Sequence, residues 1–237
     1  MTWDRYKPFS YDDFASHIRS LASQTNTDWW IYKKIRVFCD SKIPRQAIKT
    51  IVDSVDYRAR EVLGLKFNLV MPENNRCHER GIEQMAQATV DGQIDAQRLF
   101  ELAALGKLRK RSEGGRQHAG IYITTGQFSD SPDSWGAASF ESGTMIFALS
   151  EDRHRDIDFL RKVALHEAGH LIGMPTHCKI YKNVQGYHYR GLCNMDPGCS
   201  TDFLCQRCEG FIVHFFKQIV HDYEQRHRTQ CQLRHAA

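Results

Sequence analysis

No run of about 18 apolar residues occurs in the chain, so a membrane-spanning helix is not expected. The first residues, MTWDRYKPFSYDDF, mix charges with aromatics and lack the apolar stretch of a secretory signal, which points to a cytoplasmic protein. An excess of one charge sign is also missing. Lys and Arg number 32 against 28 Asp and Glu, leaving a net charge of +4. The densest basic run, GKLRKRSEGGRQ (Gly106 to Gln117), reads as a solvated surface loop and not as the broad basic face that nucleic-acid binding requires. No aromatic-plus-basic RNA signature accompanies it. Internal repeats and low-complexity stretches are absent too, which excludes repeat architectures and tethers.

What is present suits one sizeable domain. The 237 residues are 41% hydrophobic and 25% charged, enough for an ordinary core without disulfide staples. The eight cysteines are unevenly spread. Cys178, Cys193, Cys199, Cys205 and Cys208 crowd one short segment, while Cys39, Cys77 and Cys231 stand apart. Without a secretory signal, clustered thiols favour metal binding over a disulfide framework.

Along the chain, Ser10 and Asp13 have capping-box spacing ahead of a helical pattern, YDDFASHIRSLASQ. WWIYKKIRVFC predicts a strand. Pro44 at a first helical position and Gly64 as a stop bracket a long helix. FNLVM (Phe67 to Met71) predicts a second strand, and two shorter helices follow near Ile82 to Ala88 and Asp95 to Leu105. Three more strands are expected in AGIYITT, in WGAASF (Trp135 to Phe140) and in TMIFALS (Thr144 to Ser150). A helix from about Ile157 to Ile172 precedes the cysteines, and GFIVHFFKQIVHDYEQRH predicts an amphipathic C-terminal helix. The expected fold class is α/β: a sheet with packed helices, then a smaller cysteine-built lobe. The whole of 1–237 reads as a single domain with an N-terminal subdomain over about 1–173 and a C-terminal subdomain over about 174–237.

The stretch VALHEAGHLIGMPTHC (Val163 to Cys178) carries the chemistry. On a helix, His166 and His170 lie one turn apart on one face, so both imidazoles can reach one metal ion with Glu167 beside it. Zinc held by three protein ligands keeps a position for water and brings that water's pKa to roughly 7. Glu167 is then suited to take the proton and pass it to a leaving amine. Gly173 can take a left-handed conformation that ends the helix, and Pro175 opposes its continuation. The turn lets His177 approach as the third ligand.

With these features the chain resembles the metzincins, and within them the archaemetzincins. Beyond the histidine–glutamate helix and the glycine, it has His177–Cys178, CNM (Cys193 to Met195) and CQRC (Cys205 to Cys208) in the family's order. The likeness covers roughly residues 119 to 225. It implies a metzincin-like twisted mixed sheet, an active-site helix, and a C-terminal lobe with a methionine turn, a cysteine zinc site and a final helix. It further implies two zinc ions per chain. His166, His170 and His177 would hold the catalytic one, with Glu167 as general base and acid. Cys178, Cys193, Cys205 and Cys208 would hold the structural one. Met195 would form the floor beneath the catalytic metal, and the strand holding Gly136 to Phe140 would be the antiparallel edge strand of the cleft.

Two features depart from the family pattern. His177 stands four residues past Gly173 where the family has three, leaving His188 as an alternative ligand. The insert KIYKNVQGYHYRGL lengthens the Cys178-to-Cys193 link, and Cys199 is an alternative to Cys178 in the thiolate set. Tyr187 and Tyr189 in that insert read as packing residues, and Cys77 as an ordinary cysteine with no pro-segment around it. The expected function is a zinc-dependent peptidase acting on peptide or protein substrates, a hydrolase of the metalloprotease kind. The alternative is a non-catalytic zinc module that binds a protein or nucleic-acid partner.

Overall fold

A computed structural model describes residues 34–112, 118–174, 177–178, 193–196 and 201–235. The helix expected after Ser10, the first residues of the strand expected from Trp29, and the insert after Cys178 lie outside them.

The main sheet has five strands in the order β2-β1-β5-β8-β7: β1 Lys34–Cys39, β2 Asn68–Val70, β5 Ala119–Thr124, β7 Gly136–Ser139 and β8 Thr144–Ala148. The first four in that order run parallel, and β7 is antiparallel to β8. Parallel strands are covered on both faces and read as continuous apolar runs. Accordingly β5 (AGIYIT) and β8 (TMIFA) are almost wholly buried, whereas β7 (GAAS) is half-buried along its length.

Register divides the two faces. Phe38, Tyr122, Ile146 and Ala137 align across β1, β5, β8 and β7. They share a core with helices α2 (His78–Gln87) and α3 (Ala96–Ser112), through Met85, Leu99 and Ala103. Because side chains alternate, the next row, Cys39, Ile123, Phe147 and Gly136, faces the other way. On the β7 side that face meets helix α4 (Ile157–Leu171), which packs along α1 (Arg45–Leu63). In α1 the buried residues Ile48, Ile51, Val52, Val55, Ala59 and Val62 recur at helical spacing, and each contributes roughly 1.5–3 kcal/mol on burial if large. The helix stops at Gly64, whose φ of 63° suits a residue without a side chain, and whose N–H bonds Arg60 O.

The structure revises several boundaries. α2 begins at His78, four residues before the expected start, and α3 runs on through Gly106 to Ser112. The first part of the basic run is therefore helix and not loop, while 113–117 lie outside the described residues. A second sheet of two-residue strands, β3 Thr89–Val90, β4 Gln93–Ile94 and β6 Gln127–Phe128, was not expected. The final helix, α5 Gln206–His235, starts at the CQRC motif. Its first turn closes there through Glu209 N–H to Cys205 O.

By compactness the chain separates into Thr27–Val213 and a second unit that includes His214–Ala237. The described part of the second unit is the remainder of α5, which carries Gln218–Asp222 and Glu224–Arg228 pairs one turn apart. Among the described residues no helix is long and apolar enough to cross a membrane.

Candidate metal centres

Helix α4 is set at both ends by local chemistry. The Asp156 side chain caps its start by accepting from Phe159 N–H at 3.0 Å. At the other end Gly173 takes a φ of 118°, and Met174 N–H bonds Gly169 O at 2.9 Å, so the chain leaves the helix axis at once. His166 and His170 sit one turn apart on this helix. His177, carried back by the turn, completes a near-equilateral set with ring centroids 4.9, 5.1 and 5.2 Å apart. With four residues from Gly173 to His177, the third imidazole still meets the other two. Its ring nitrogen lies within 4.8 Å of those of the other two. His188 lies outside the described residues.

The protons on two of these rings can be assigned from their partners. His166 Nδ1 stands 2.6 Å from Asn194 O, and His170 Nδ1 stands 2.6 Å from Met174 O. A carbonyl can only accept, so each Nδ1 carries the proton and each Nε2 keeps a bare lone pair. Those two Nε2 atoms face each other at 3.2 Å. Two acceptors at that distance repel unless a cation sits between them. Tetrahedral zinc, with bonds of about 2.0–2.1 Å to nitrogen, sets its nitrogens about 3.3 Å apart, which matches. The neutral state that metal binding needs is favoured already. Burial first, and then the charge of His166, drive His170 down to about 3 and His177 down to about 4, and burial also lowers His166.

Glu167 points away from solvent and is 7% exposed. Its carboxyl lies against the backbone of β7: a methyl group added at Gly136 would stand 2.6 Å from Glu167 Cγ and 3.1 Å from Oε1. Only glycine leaves room for the side chain there. Burial raises the carboxyl to about 8, so in the metal-free protein it holds its proton at neutral pH. A second glycine contact fixes Met195, which is fully buried with Sδ where a side chain on Gly169 would have to go.

The four sulfurs of Cys178, Cys193, Cys205 and Cys208 also converge within 4.8 Å of one another. Cys178 and Cys205 Sγ are 3.7 Å apart, far beyond the roughly 2.05 Å of a disulfide. Tetrahedral zinc with sulfur bonds of about 2.3 Å places its sulfurs about 3.8 Å apart, so the set fits that ion. Without a cation the thiols compete for charge. Hydrogen bonds from Cys178 and Cys208 pull Cys193 down to about 2, and the same contacts push those two upward. Cys199, Tyr187 and Tyr189 lie outside the described residues. Cys77 packs near Phe38 in the α2–α3 core, with its N–H on Asn75 Oδ1.

The segment Cys193 to Met195 touches both groups, and its surroundings were not foreseen. Asn194 is buried and bonds Arg58, a fully buried arginine on α1. The sequence around Arg58 does not reveal its partners. The one available signal was a charged residue on the apolar stripe of that helix.

No family model matches the chain, and no curated protein does. Among solved structures it is similar to archaemetzincin from Methanopyrus kandleri, at 19% identity, TM-score 0.49, covering 78% of this chain and 95% of that one. It is also similar to a zinc-dependent peptidase from Methanocorpusculum labreanum, at 17% identity, TM-score 0.46, covering 75% and 99%. Archaemetzincin from Archaeoglobus fulgidus, complexed with malonate, follows at 12% identity, TM-score 0.40, covering 75% and 98%.

Proposed function

We propose that the chain is a zinc-dependent peptidase whose two ions are held by His166, His170 and His177 and by Cys178, Cys193, Cys205 and Cys208. One observation carries the reading. Two proton-free imidazole nitrogens meet at 3.2 Å on the same helix that holds a buried glutamate against the outermost strand of the sheet. A structural ion needs the nitrogens but not the glutamate.

Zinc held by His166, His170 and His177 would supply Lewis-acid polarisation of a carbonyl and would ease the loss of a proton from water. The remaining work falls to the chain. Among the described residues β7 pairs only with β8, so its outer edge supports binding an extended peptide as an added strand. Gly136 brings that edge onto Glu167, so the carboxyl adjoins the peptide's path. Glu167, ionised once a cation is near, takes a proton from the attacking water and delivers it to the leaving nitrogen as the peptide bond breaks. Met195, pressed against Gly169, serves as an apolar floor that keeps the histidine helix in place. The thiolate set braces the segments after Gly173. Thiols that must stay reduced favour a reducing compartment, the cytoplasm.

The decisive comparison is wild type against Glu167→Gln on a mixed peptide library, with zinc content measured in both. The variant is expected to keep its metal and lose roughly 100- to 10,000-fold in turnover. Equal turnover would remove the enzymatic reading. A distorted third ligand would favour the non-catalytic alternative, whereas three near-equal ring separations favour the hydrolytic reading.

A further inference from the structure

Arg58 is 0% exposed, and its guanidinium reaches three separate stretches of chain. Nη2 donates to Asn194 Oδ1 at 3.0 Å and to Asp202 O at 2.7 Å, and Nε donates to Leu165 O at 3.4 Å. Nη1 pairs with Glu61 at 2.6 Å, one turn along α1. A buried guanidinium is poor value as a packing element, because an apolar residue of similar volume often stabilises as well or better. Burial accordingly works against its charge. What an apolar residue could not do is hold two backbone carbonyls and the Asn194 side chain at once with a planar fork of donors.

Asn194 extends the same network to the metal ligands. Its Nδ2 donates to Lys162 O at 3.0 Å and to Thr201 O at 3.1 Å, and its N–H donates to Phe203 O at 2.6 Å. Its carbonyl accepts from His166 Nδ1, which fixes that ring's tautomer and aim. Cys193, just before it, belongs to the thiolate set, and its Sγ accepts from Cys205 N–H at 3.3 Å. Met195, just after it, accepts at its carbonyl from Cys178 N–H at 2.8 Å, next to His177. One turn of three residues therefore touches a ligand of each centre. Leu165, the residue before His166, is the other place where Arg58 holds the site.

We propose that Arg58 is a positioning residue that keys both metal centres into one frame through Asn194, so that a change at either centre is felt at the other. This rests on the zinc reading above. Coupling of this kind is reciprocal in binding: an ion in the thiolate set tightens the histidine set by the same factor as the reverse.

The test uses the full chain and zinc alone, titrated against a chromophoric chelator. The thiolate charge-transfer band of cobalt separates the cysteine centre from the histidine centre. Arg58→Lys keeps the charge but not the fork. It is expected to weaken zinc at the histidine centre about 10- to 100-fold while the protein still melts cooperatively. The imidazole resonances of His166 should also show loss of the fixed Nδ1–H tautomer, which a general loosening of α1 would not cause. Val55→Ala, a core deletion on the same helix, controls for that loosening and should leave both affinities unchanged. Asn194→Ala, which keeps the backbone carbonyl, is the second variant should Arg58→Lys not fold, with the same loss expected. A folded Arg58→Lys or Asn194→Ala protein with wild-type affinity at both centres and an unaltered His166 tautomer would overturn the inference. Wild-type protein that binds no zinc at all would instead overturn the metal reading beneath it.

Discussion

Burial raises the Glu167 carboxyl from 4.5 to about 8, and it lowers the imidazoles of His166, His170 and His177 from 6.5. They make opposite demands on the metal-free protein as pH changes. Glu167 binds its proton more tightly folded than unfolded, so its contribution is fully present below pH 4.5 and is lost as pH rises through about 8. The histidines bind theirs less tightly folded. His170 and His177 contribute stability above pH 6.5 that is lost as pH falls toward about 3 and about 4. Comparing metal-free wild type with Glu167→Gln isolates the carboxyl. The variant should gain on wild type in thermal melts as pH rises from 4.5 to 8, by at most about 5 kcal/mol at 1.36 kcal/mol per pH unit. A difference that stays flat across that range would show that Glu167 is not buried as described. The same residues were the most legible part of the sequence. The spacing of His166, Glu167 and His170 acquires its meaning from a single helical turn and needs no tertiary information. His177 was harder, because its place depends on how Gly173 turns the chain. Arg58 offered only a charge on an apolar stripe, and its role stayed hidden because its partners Leu165, Asn194 and Asp202 lie 107, 136 and 144 residues away.

At the scale of elements, the contact between β7 and α4 decides whether the glutamate can work. The bare α-carbon of Gly136 faces Glu167 at a separation that excludes even a methyl group. Gly136→Ala should therefore shift the carboxyl while leaving the zinc ligands in place. Turnover is expected to fall about tenfold to 100-fold with zinc content unchanged, as follows from displacing a reacting group by about 1 Å. Steady-state kinetics with parallel metal analysis would check this, and wild-type turnover in the alanine variant would refute the contact's importance. Elements of clear periodicity, such as α1 with its helical stripe and β5 with its apolar run, were readable in advance. The two-residue strands β3, β4 and β6 were not, because so few residues leave no period to detect. The start of the basic run was misjudged for a related reason. Gly106 looks like a break, yet α3 continues through it to Ser112, with the Gln84 side chain bonded to Leu102 O nearby.

At the scale of the molecule, the cysteine set brings together residues 178, 193, 205 and 208, of which Cys208 lies in α5 and the other three lie outside helices and strands. An ion held there would tie these positions to one another. If both sets hold zinc as proposed, chelation should lower the melting temperature. At free zinc 1,000-fold above the dissociation constant the stabilisation lost per ion is about 4 kcal/mol, or roughly 10 °C for a chain of this length. Cys205→Ser should produce a partial loss, which added zinc does not restore. A melting curve indifferent to chelator would contradict a bracing role.

The sheet's outermost strand has a consequence for what such an enzyme would accept. An edge offers main-chain donors and acceptors, which every amino acid supplies alike. A cleft built on β7 thus discriminates less by the identity of residues than by whether their amides are unspent. A compact target has already committed its amides internally and would be spared, while tails, unravelled stretches and fragments left by earlier cleavage would be admitted. The alignment of one strand would in this way sort prey by conformation before any chemistry begins.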